Sequence, residues 1–158
     1  MPITLNHIGV AVKDLPALQK LFGLLGLTIT ATESVPEQGV KTHFLPLPVQ
    51  PASIELLEVT DPTGTVAGFI AKRGPGIHHL SFTVERGELD PLMSTLKAEG
   101  YRFTYEHPRS GAHNMRINFI HPSTAGGMLI ELMEPAQDPE QPGAYRSDNA
   151  GATSGSGV

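Results

Sequence analysis

The sequence of 158 residues contains no cysteine, and its few charged residues are mostly acidic. Without cysteine the chain forms no disulfide and offers no thiolate, so a bound metal would take histidine, carboxylate and water ligands. The formal net charge of −5 argues against nonspecific binding of nucleic acid. No apolar run approaches the roughly 20 residues that span a membrane, and residues 1–4 do not resemble a secretory signal. We therefore expect a cytoplasmic protein that binds neither nucleic acid nor membranes.

The chain passes twice through one order of strands and helices. In the first pass, Asp14 is placed to cap a helix with apolar residues at helical spacing, and Gly26 ends it. In the second pass, a helix at about 88–99 has a similar apolar stripe and ends at Gly100. Each pass is therefore a βαβββ module of an α+β fold. The predicted strands lie at about 5–12, 27–30, 40–47, 52–59, 77–84, 101–104, 115–120 and 127–134.

These elements divide the chain into four regions. Residues 1–62 are expected to form the first module, and residues 63–76 a linker with a short helix. Residues 77–135 are expected to form the second module. Residues 136–158 are rich in glycine, serine, proline and alanine, with almost no large apolar side chain, which is typical of a flexible tail.

One short motif occurs in both modules. Ile54-Glu55-Leu56-Leu57-Glu58 in the first module recurs as Ile130-Glu131-Leu132-Met133-Glu134 in the second. A strand led by His7 precedes the first copy, and a strand led by His79 precedes the second. A histidine and a glutamate at matched places in a duplicated module are expected of one metal site built from two half-sites.

The neighbours of Glu55 and Glu131 support this interpretation. Each glutamate lies between two apolar residues on a strand, so its side chain points to the face opposite theirs. A lone glutamate on a solvated strand face would be ordinary. A buried and unpaired carboxylate is costly, however, and a cation shared by the two modules would offset that cost. Of the adjacent His78 and His79 only one can face inward, and the repeat aligns His79 with His7.

Two imidazoles and two carboxylates would leave about two positions of an octahedral ion open to exchange. Open positions are typical of catalytic metal sites, because substrate oxygens can displace bound water there. The ligand types therefore favour an enzyme over a structural metal protein.

Four segments of the chain carry a resemblance to a known family. They are Pro36-Glu37-Gln38-Gly39-Val40, Arg73-Gly74-Pro75-Gly76-Ile77-His78-His79, Ile117-Asn118-Phe119-Ile120-His121-Pro122 and Gly127-Met128-Leu129-Ile130-Glu131-Leu132. With these segments and its paired modules, the chain resembles the vicinal oxygen chelate superfamily and, within it, the methylmalonyl-CoA epimerases, over about residues 4–134. The resemblance implies a curved half-barrel of mixed sheet around a metal site, in a protein whose relatives are often homodimers.

The resemblance also implies an activity and roles for particular residues. That family interconverts (2R)- and (2S)-methylmalonyl-CoA by moving the C2 proton, through an enolate that a divalent metal stabilises. His7, His79 and Glu131 match its metal ligands, and Glu55 aligns with its fourth. Glu131 is expected to take part in proton transfer as well. The ion is expected to be Co²⁺, with Mn²⁺, Zn²⁺ or Ni²⁺ as alternatives.

One position departs from the family pattern. Some bacterial epimerases have a second catalytic glutamate where this chain has Thr42, and a threonine hydroxyl is not a base near neutral pH. The second base is then expected to be Glu37, with Lys41 or a water relayed by Thr42 as alternatives. For the acyl-CoA substrate, Arg109 and Arg116 are the candidate cationic contacts.

Three other functions are compatible with the same scaffold. One is an isomerase like glyoxalase I, against which the segments at 36–40 and 117–122 argue. Another is a dioxygenase with iron held by two histidines and one glutamate, although four ligands would leave too few positions for both catechol and oxygen. The last is a protein that binds its ligand without catalysis, and such a protein would not exchange the C2 proton.

Overall fold

The structure is a computed structural model that describes residues 2–136. Three α-helices occur in this part of the chain: α1 (Leu15–Leu24), α2 (Thr65–Arg73) and α3 (Leu89–Ala98). Single 3-10 turns at Pro36–Gln38 and Ala112–Asn114 precede the third and seventh strands. The eight strands are β1 (Ile3–Val12), β2 (Ala31–Val35), β3 (Val40–Pro46), β4 (Ser53–Val59), β5 (Gly76–Val84), β6 (Arg109–Ser110), β7 (Met115–Ile120) and β8 (Leu129–Pro135).

The eight strands form one mixed sheet in the order β2-β3-β4-β1-β5-β8-β7-β6. The order is symmetric about the centre, where β1 and β5 run antiparallel to each other. On one side β1 is parallel to β4, and on the other side β5 is parallel to β8. The predicted α+β fold, with two βαβββ modules in one curved half-barrel sheet, is confirmed. The predicted tail lies outside the described residues from position 137 onward.

Helices α1 and α3 each cover one module with a separate apolar cluster. Asp14 accepts a hydrogen bond from the Ala17 backbone N–H at 3.0 Å and so caps α1. Leu15, Leu18 and Phe22 of α1 pack onto buried side chains of β1, β3 and β4. In the second module, Leu89 and Met93 of α3 belong to the matching cluster. Among residues 2–136, no helix has the length and apolar character needed to cross a membrane.

Two of the strands predicted from the sequence do not form at the predicted positions. Residues 27–30 are not a strand, because Leu27 and Ile29 pack onto the apolar cluster beneath α1, and β2 begins only at Ala31. Residues 101–104 make a single bridge, Phe103 to Ile120, and the outermost strand of this module is the two-residue β6. In both places apolar alternation reflects packing against a helix and not pairing in the sheet.

Glu134 at the end of β8 ties the second module together. Its side chain is 1% exposed, and its Oε2 accepts hydrogen bonds from the backbone N–H groups of Gly87 and Leu89 at 2.8 and 3.0 Å. Its Oε1 accepts a hydrogen bond from Arg116, whose other guanidinium nitrogen lies 2.9 Å from Asp90 Oδ2. The carboxylate therefore fixes the start of α3 against β7 and β8.

We expect Glu134→Gln to lower the free energy of unfolding by about 3 kcal/mol, because the amide has one acceptor oxygen where the buried carboxylate meets two N–H groups and a guanidinium, so some of these donors lose their acceptor. Urea denaturation followed by circular dichroism measures the change. The matched control is Glu58→Gln, since Glu58 occupies the same place in the first copy of the motif. Its side chain is 41% exposed and pairs with His43 at 3.0 Å, so we expect a loss of about 1 kcal/mol or less. Equal losses in the two variants would contradict this account.

Candidate metal centre

Three side chains that can bind a metal meet where the two modules join. β1 supplies His7, β5 supplies His79 and β8 supplies Glu131, and all three side chains are buried. The Nε2 atoms of the two histidines lie 2.9 Å apart, and Glu131 Oε2 lies 3.4 Å from His7 Nε2. The potential ligand atoms all lie within 4.8 Å of one another. The site therefore uses one residue from the first module and two from the second.

Gly9 makes room for the His79 ring. In the antiparallel pair of β1 and β5, Gly9 lies directly opposite His79. A Cβ atom added to Gly9 would lie within 2.8 Å of three atoms of the His79 ring. A side chain at position 9 would therefore displace this imidazole from the group.

The tautomer of His7 follows from its partners. The Asn6 amide donates through Nδ2 to Thr83 Oγ1 at 2.9 Å, so its Oδ1 is the atom that faces His7 Nδ1, also at 2.9 Å. Glu55 Oε1 lies 3.2 Å from the same nitrogen. Because the amide oxygen of Asn6 can only accept a hydrogen bond, Nδ1 carries the proton and Nε2 presents its lone pair to the site.

His79 has a supporting partner in His78. Their Nδ1 atoms lie 3.0 Å apart, which leaves His79 Nε2 directed at the ligand group. The His78 ring itself packs edge-on against Phe69 of α2, with centroids 4.9 Å apart. His78 is therefore outside the ligand group, as expected from the sequence, but it helps to orient the ring of His79.

Burial shifts the protonation of all four candidate ligands. It lowers the pKa of His7 to about 4, with a smaller contribution from His113, and the pKa of His79 to about 3, with contributions from His7 and His78. Burial also raises the pKa of Glu131 to about 7, and together with the charges of Glu131 and Glu33 it raises the pKa of Glu55 to about 8. Near neutral pH the imidazoles are neutral, which is the form that binds metals.

The donor set fits a divalent cation. Within the described part of the chain, Glu131 Oε2 is buried without a hydrogen-bond partner. A buried carboxylate oxygen in that position is costly unless a cation or a proton meets it. Two neutral imidazole nitrogens beside one carboxylate suit Co²⁺, Mn²⁺, Zn²⁺ and Ni²⁺ alike, since all accept nitrogen and oxygen ligands.

Glu55 lies behind His7 and not within the group of three. Its side chain is 14% exposed and contacts the Nδ1 side of the His7 ring. In this position it orients His7, which is a common role for a carboxylate next to a metal ligand. Its assignment as a fourth ligand stays a prediction.

A cavity of about 210 Å³ opens over the ligand group. Its walls include Thr42, which is 4% exposed, and His113 from the turn before β7. Apolar side chains complete the lining around His7, His79 and Glu131. They are Val35, Phe44, Leu57, Ala112, Met115, Ile117 and Met133.

Three other predicted site residues lie outside this lining. Glu37 is exposed on the Pro36–Gln38 turn, whereas its neighbour Gln38 borders the cavity. The guanidinium of Arg109 lies 3.9 Å from the centre of the Tyr105 ring. Arg116 is held by Asp90 and Glu134. The roles proposed for these residues from the sequence stay predictions.

The sequence did not identify three residues that shape the site. Asn6 and Gly9 flank His7 and lie on the same strand, so their roles follow from the pairing of β1 with β5. His113 comes from a turn far along the chain, and no periodic pattern marks it. His113 reaches the cavity only because the sheet is curved.

Comparison with known proteins agrees with the fold. The Glyoxalase/Bleomycin resistance protein/Dioxygenase superfamily matches residues 6–119. Over 131 residues the chain is 35% identical to the ethylmalonyl-CoA/methylmalonyl-CoA epimerase of Cereibacter sphaeroides, covering 81% of this chain and 95% of that protein.

Solved structures show the same likeness. Methylmalonyl-CoA epimerase from Mycobacterium tuberculosis has a TM-score of 0.76 and 41% identity, over 84% of this chain and 88% of that one. A methylmalonyl-CoA epimerase in complex with methylmalonyl-CoA and NH4+ has a TM-score of 0.73 and 32% identity, over 84% of this chain and 94% of that one. The chain therefore belongs to the Glyoxalase/Bleomycin resistance protein/Dioxygenase superfamily and, within it, to the methylmalonyl-CoA epimerase family.

Proposed function

We propose that the protein is a metal-dependent epimerase that interconverts (2R)- and (2S)-methylmalonyl-CoA. The observation that carries this proposal is Oε2 of Glu131, a buried carboxylate oxygen without a hydrogen-bond partner among the described residues, beside two neutral imidazoles that line the same cavity. The substrate is inferred from the relatives, which are epimerases of methylmalonyl-CoA or of its ethyl homologue. Removal of a proton from the carbon next to a thioester requires a base, and a nearby cation stabilises the negative charge that forms.

The proposed reaction begins with the C2 proton of the substrate. Its removal leaves an electron pair that is delocalised onto the thioester oxygen. A divalent ion held by His7, His79 and Glu131 would supply Lewis-acid stabilisation of that negative charge. Glu131 takes the proton. Burial raises the pKa of its carboxyl group, which strengthens it as a base, and a bound ion would lower that pKa again.

The walls of the cavity support this chemistry. Leu57, Ile117 and Met133 lie in these walls beside the polar ligand group. Apolar side chains next to the reacting atoms strengthen electrostatic stabilisation of the developing charge, because they keep competing water away.

Several finer features belong to the proposal. Co²⁺ is proposed as the ion, with Mn²⁺, Zn²⁺ and Ni²⁺ as alternatives. Arg109 and Arg116 are proposed contacts for the CoA portion. The contacts of Arg116 with Asp90 and Glu134 occupy both ends of its guanidinium, so Arg109 is the better placed of the two. A homodimer in the cytoplasm is also proposed.

The proposed function is tested by incubating the Co²⁺-loaded protein with (2R)- or (2S)-methylmalonyl-CoA in deuterated water. We expect both stereoisomers to interconvert and to gain deuterium at C2. We expect Glu131→Gln to lower the rate of interconversion by about 10³-fold or more, because the amide cannot accept the proton and the ion loses a carboxylate ligand. Glu106→Gln is the control, since this exposed carboxylate pairs with Lys97 away from the cavity. Absence of exchange with all four metals would reject the proposal, and turnover of a glutathione hemithioacetal instead would assign a reaction like that of glyoxalase I.

We expect Gly9→Ala to weaken Co²⁺ binding by about 10-fold to 100-fold, because the added methyl group displaces the His79 ring. Calorimetric titration of the ion measures the affinity, and thermal unfolding checks that the fold persists. Gly23→Ala is the matched control. Gly23 lies in α1, and an added Cβ there meets nothing within 4 Å. Undiminished affinity in Gly9→Ala would show that His79 is not a ligand.

We expect the affinity for Co²⁺ to rise as the pH increases from about 6 to about 8. In this range the imidazoles are already neutral, since their pKa values are about 4 and 3, whereas Glu131, with a pKa of about 7, must lose a proton to bind the ion. Calorimetry in buffers of different ionisation enthalpy counts the released protons. At about pH 6.5 we expect each bound ion to release about one proton if Glu131 is the only carboxylate ligand. We expect about two released protons if Glu55 is a ligand as well. An affinity independent of pH would contradict these pKa values.

A further inference from the structure

Epimerisation needs acid–base groups on two sides of the substrate. If Glu131 alone removed and returned the proton, C2 would keep its configuration, because the proton would come back to the face that it left. Inversion requires a second group that protonates the opposite face. This question rests on the proposed function, and Thr42 cannot supply the group, because its hydroxyl is neither acidic nor basic near neutral pH.

A carboxylate lies next to Thr42 on the neighbouring strand. In the antiparallel pair of β2 and β3, Glu33 is directly opposite Thr42, so both side chains are on the same face of the sheet. That face borders the cavity, since Val35, two residues along β2, and Thr42 both line it. Glu33 therefore faces the side of the sheet on which the cavity opens.

Glu33 contacts a histidine from the other module. Its Oε2 lies 3.5 Å from Nε2 of His113, and His113 lines the cavity together with His7 and Glu131. The His113 ring also packs edge-on against Phe44 of β3, with centroids 5.1 Å apart. Nε2 of His113 is thus directed to Glu33, and Nδ1 is the nitrogen that remains for a substrate.

The contact of Glu33 with His113 joins the two halves of the sheet. Glu33 comes from β2, at one end of the sheet, and His113 precedes β7, next to the other end. The ligand group lies on β1, β5 and β8 in the middle, and His113 lines the same cavity as His7 and Glu131. A planar group bound in that cavity between Glu131 and His113 would present one face to each of them.

The backbone holds His113 in an unusual conformation. His113 has φ 54° and ψ 35°, and Asn114 has φ 56°, so two consecutive residues other than glycine are left-handed. Such conformations are disfavoured for most side chains and occur most often at functional sites. Backbone hydrogen bonds fix the turn, from the Gly111 N–H to Met115 O at 2.8 Å and from the Ala136 N–H to Asn114 O at 2.9 Å.

We propose that His113 is the catalytic acid–base residue for the substrate face opposite Glu131, and that Glu33 is its positioning residue. In one direction the C2–H bond breaks and its proton passes to Glu131, while the electron pair moves onto the thioester oxygen. The imidazolium of His113 then gives a proton to the opposite face of C2. In the reverse direction the neutral imidazole takes the proton and Glu131 returns one. His113 is 64% exposed, so it exchanges protons directly with solvent between turnovers.

The test follows the Co²⁺-loaded His113→Gln variant in deuterated water, starting from each stereoisomer separately. We expect interconversion to fall by about 100-fold or more, the usual contribution of a general acid–base group. We expect C2 of one stereoisomer, the one whose proton faces Glu131, to continue gaining deuterium with retained configuration. A role in folding or metal binding alone would not produce exchange without inversion.

Companion variants separate the roles of neighbouring groups. We expect Glu33→Gln to lower kcat of epimerisation by about 10-fold with KM little changed, and Glu33→Asp to restore part of the loss. His107→Gln is the matched control for the histidine, since His107 is exposed and does not line the cavity, and we expect wild-type rates. Glu37→Gln is measured alongside as a test of the carboxylate on the Pro36–Gln38 turn.

Three outcomes would overturn the proposal. One is an epimerisation rate of His113→Gln within about threefold of the wild-type rate, since a loss that small is well below the loss expected on removal of a general acid–base group. Another is equal loss of exchange from both stereoisomers in a variant that still binds Co²⁺. The third is exchange without inversion in Glu37→Gln and not in His113→Gln. If the wild-type protein itself shows neither exchange nor inversion, the proposed function fails instead, so the two failures are distinguishable.

Discussion

A carboxylate and two neutral imidazoles are buried together where β1, β5 and β8 run side by side, and among residues 2–136 no lysine or arginine lines the cavity beside them. The cost of burying Glu131 is met either by a proton, since its pKa is raised to about 7, or by a cation shared with His7 and His79. Both the metal affinity and the basicity of the site follow from that burial. The rest of the fold keeps these three side chains together and away from bulk water.

The two modules have similar folds but divide the chemistry unequally. Glu55 and Glu131 occupy the same place in the repeated motif, yet Glu131 joins the ligand group and Glu55 contacts the far side of the His7 ring. The second glutamates of the motif differ as well. Glu58 makes a partly exposed pair with His43, whereas Glu134 is buried and fixes the start of α3. A duplicated scaffold thus supplies the positions, and the local neighbours determine what each residue does.

The sequence predicted the features that depend on local pattern and on repetition. The α+β modules, the helices ending near Gly26 and Gly100, and the inward choice of His79 over His78 all come from spacing. The prediction of strands at 27–30 and 101–104 was wrong, since apolar alternation there reflects packing under a helix. The contact of Glu33 with His113 could not be predicted, because it joins opposite ends of the sheet and depends on how far the sheet curves.

We propose that both modules together hold one divalent ion through His7, His79 and Glu131. Anomalous diffraction at the cobalt edge from crystals of the Co²⁺-loaded protein locates this ion. We expect one peak per chain, about 2.0–2.2 Å from Nε2 of both histidines and from a carboxylate oxygen of Glu131. A peak bound by residues of only one module, or no peak at this position, would contradict it.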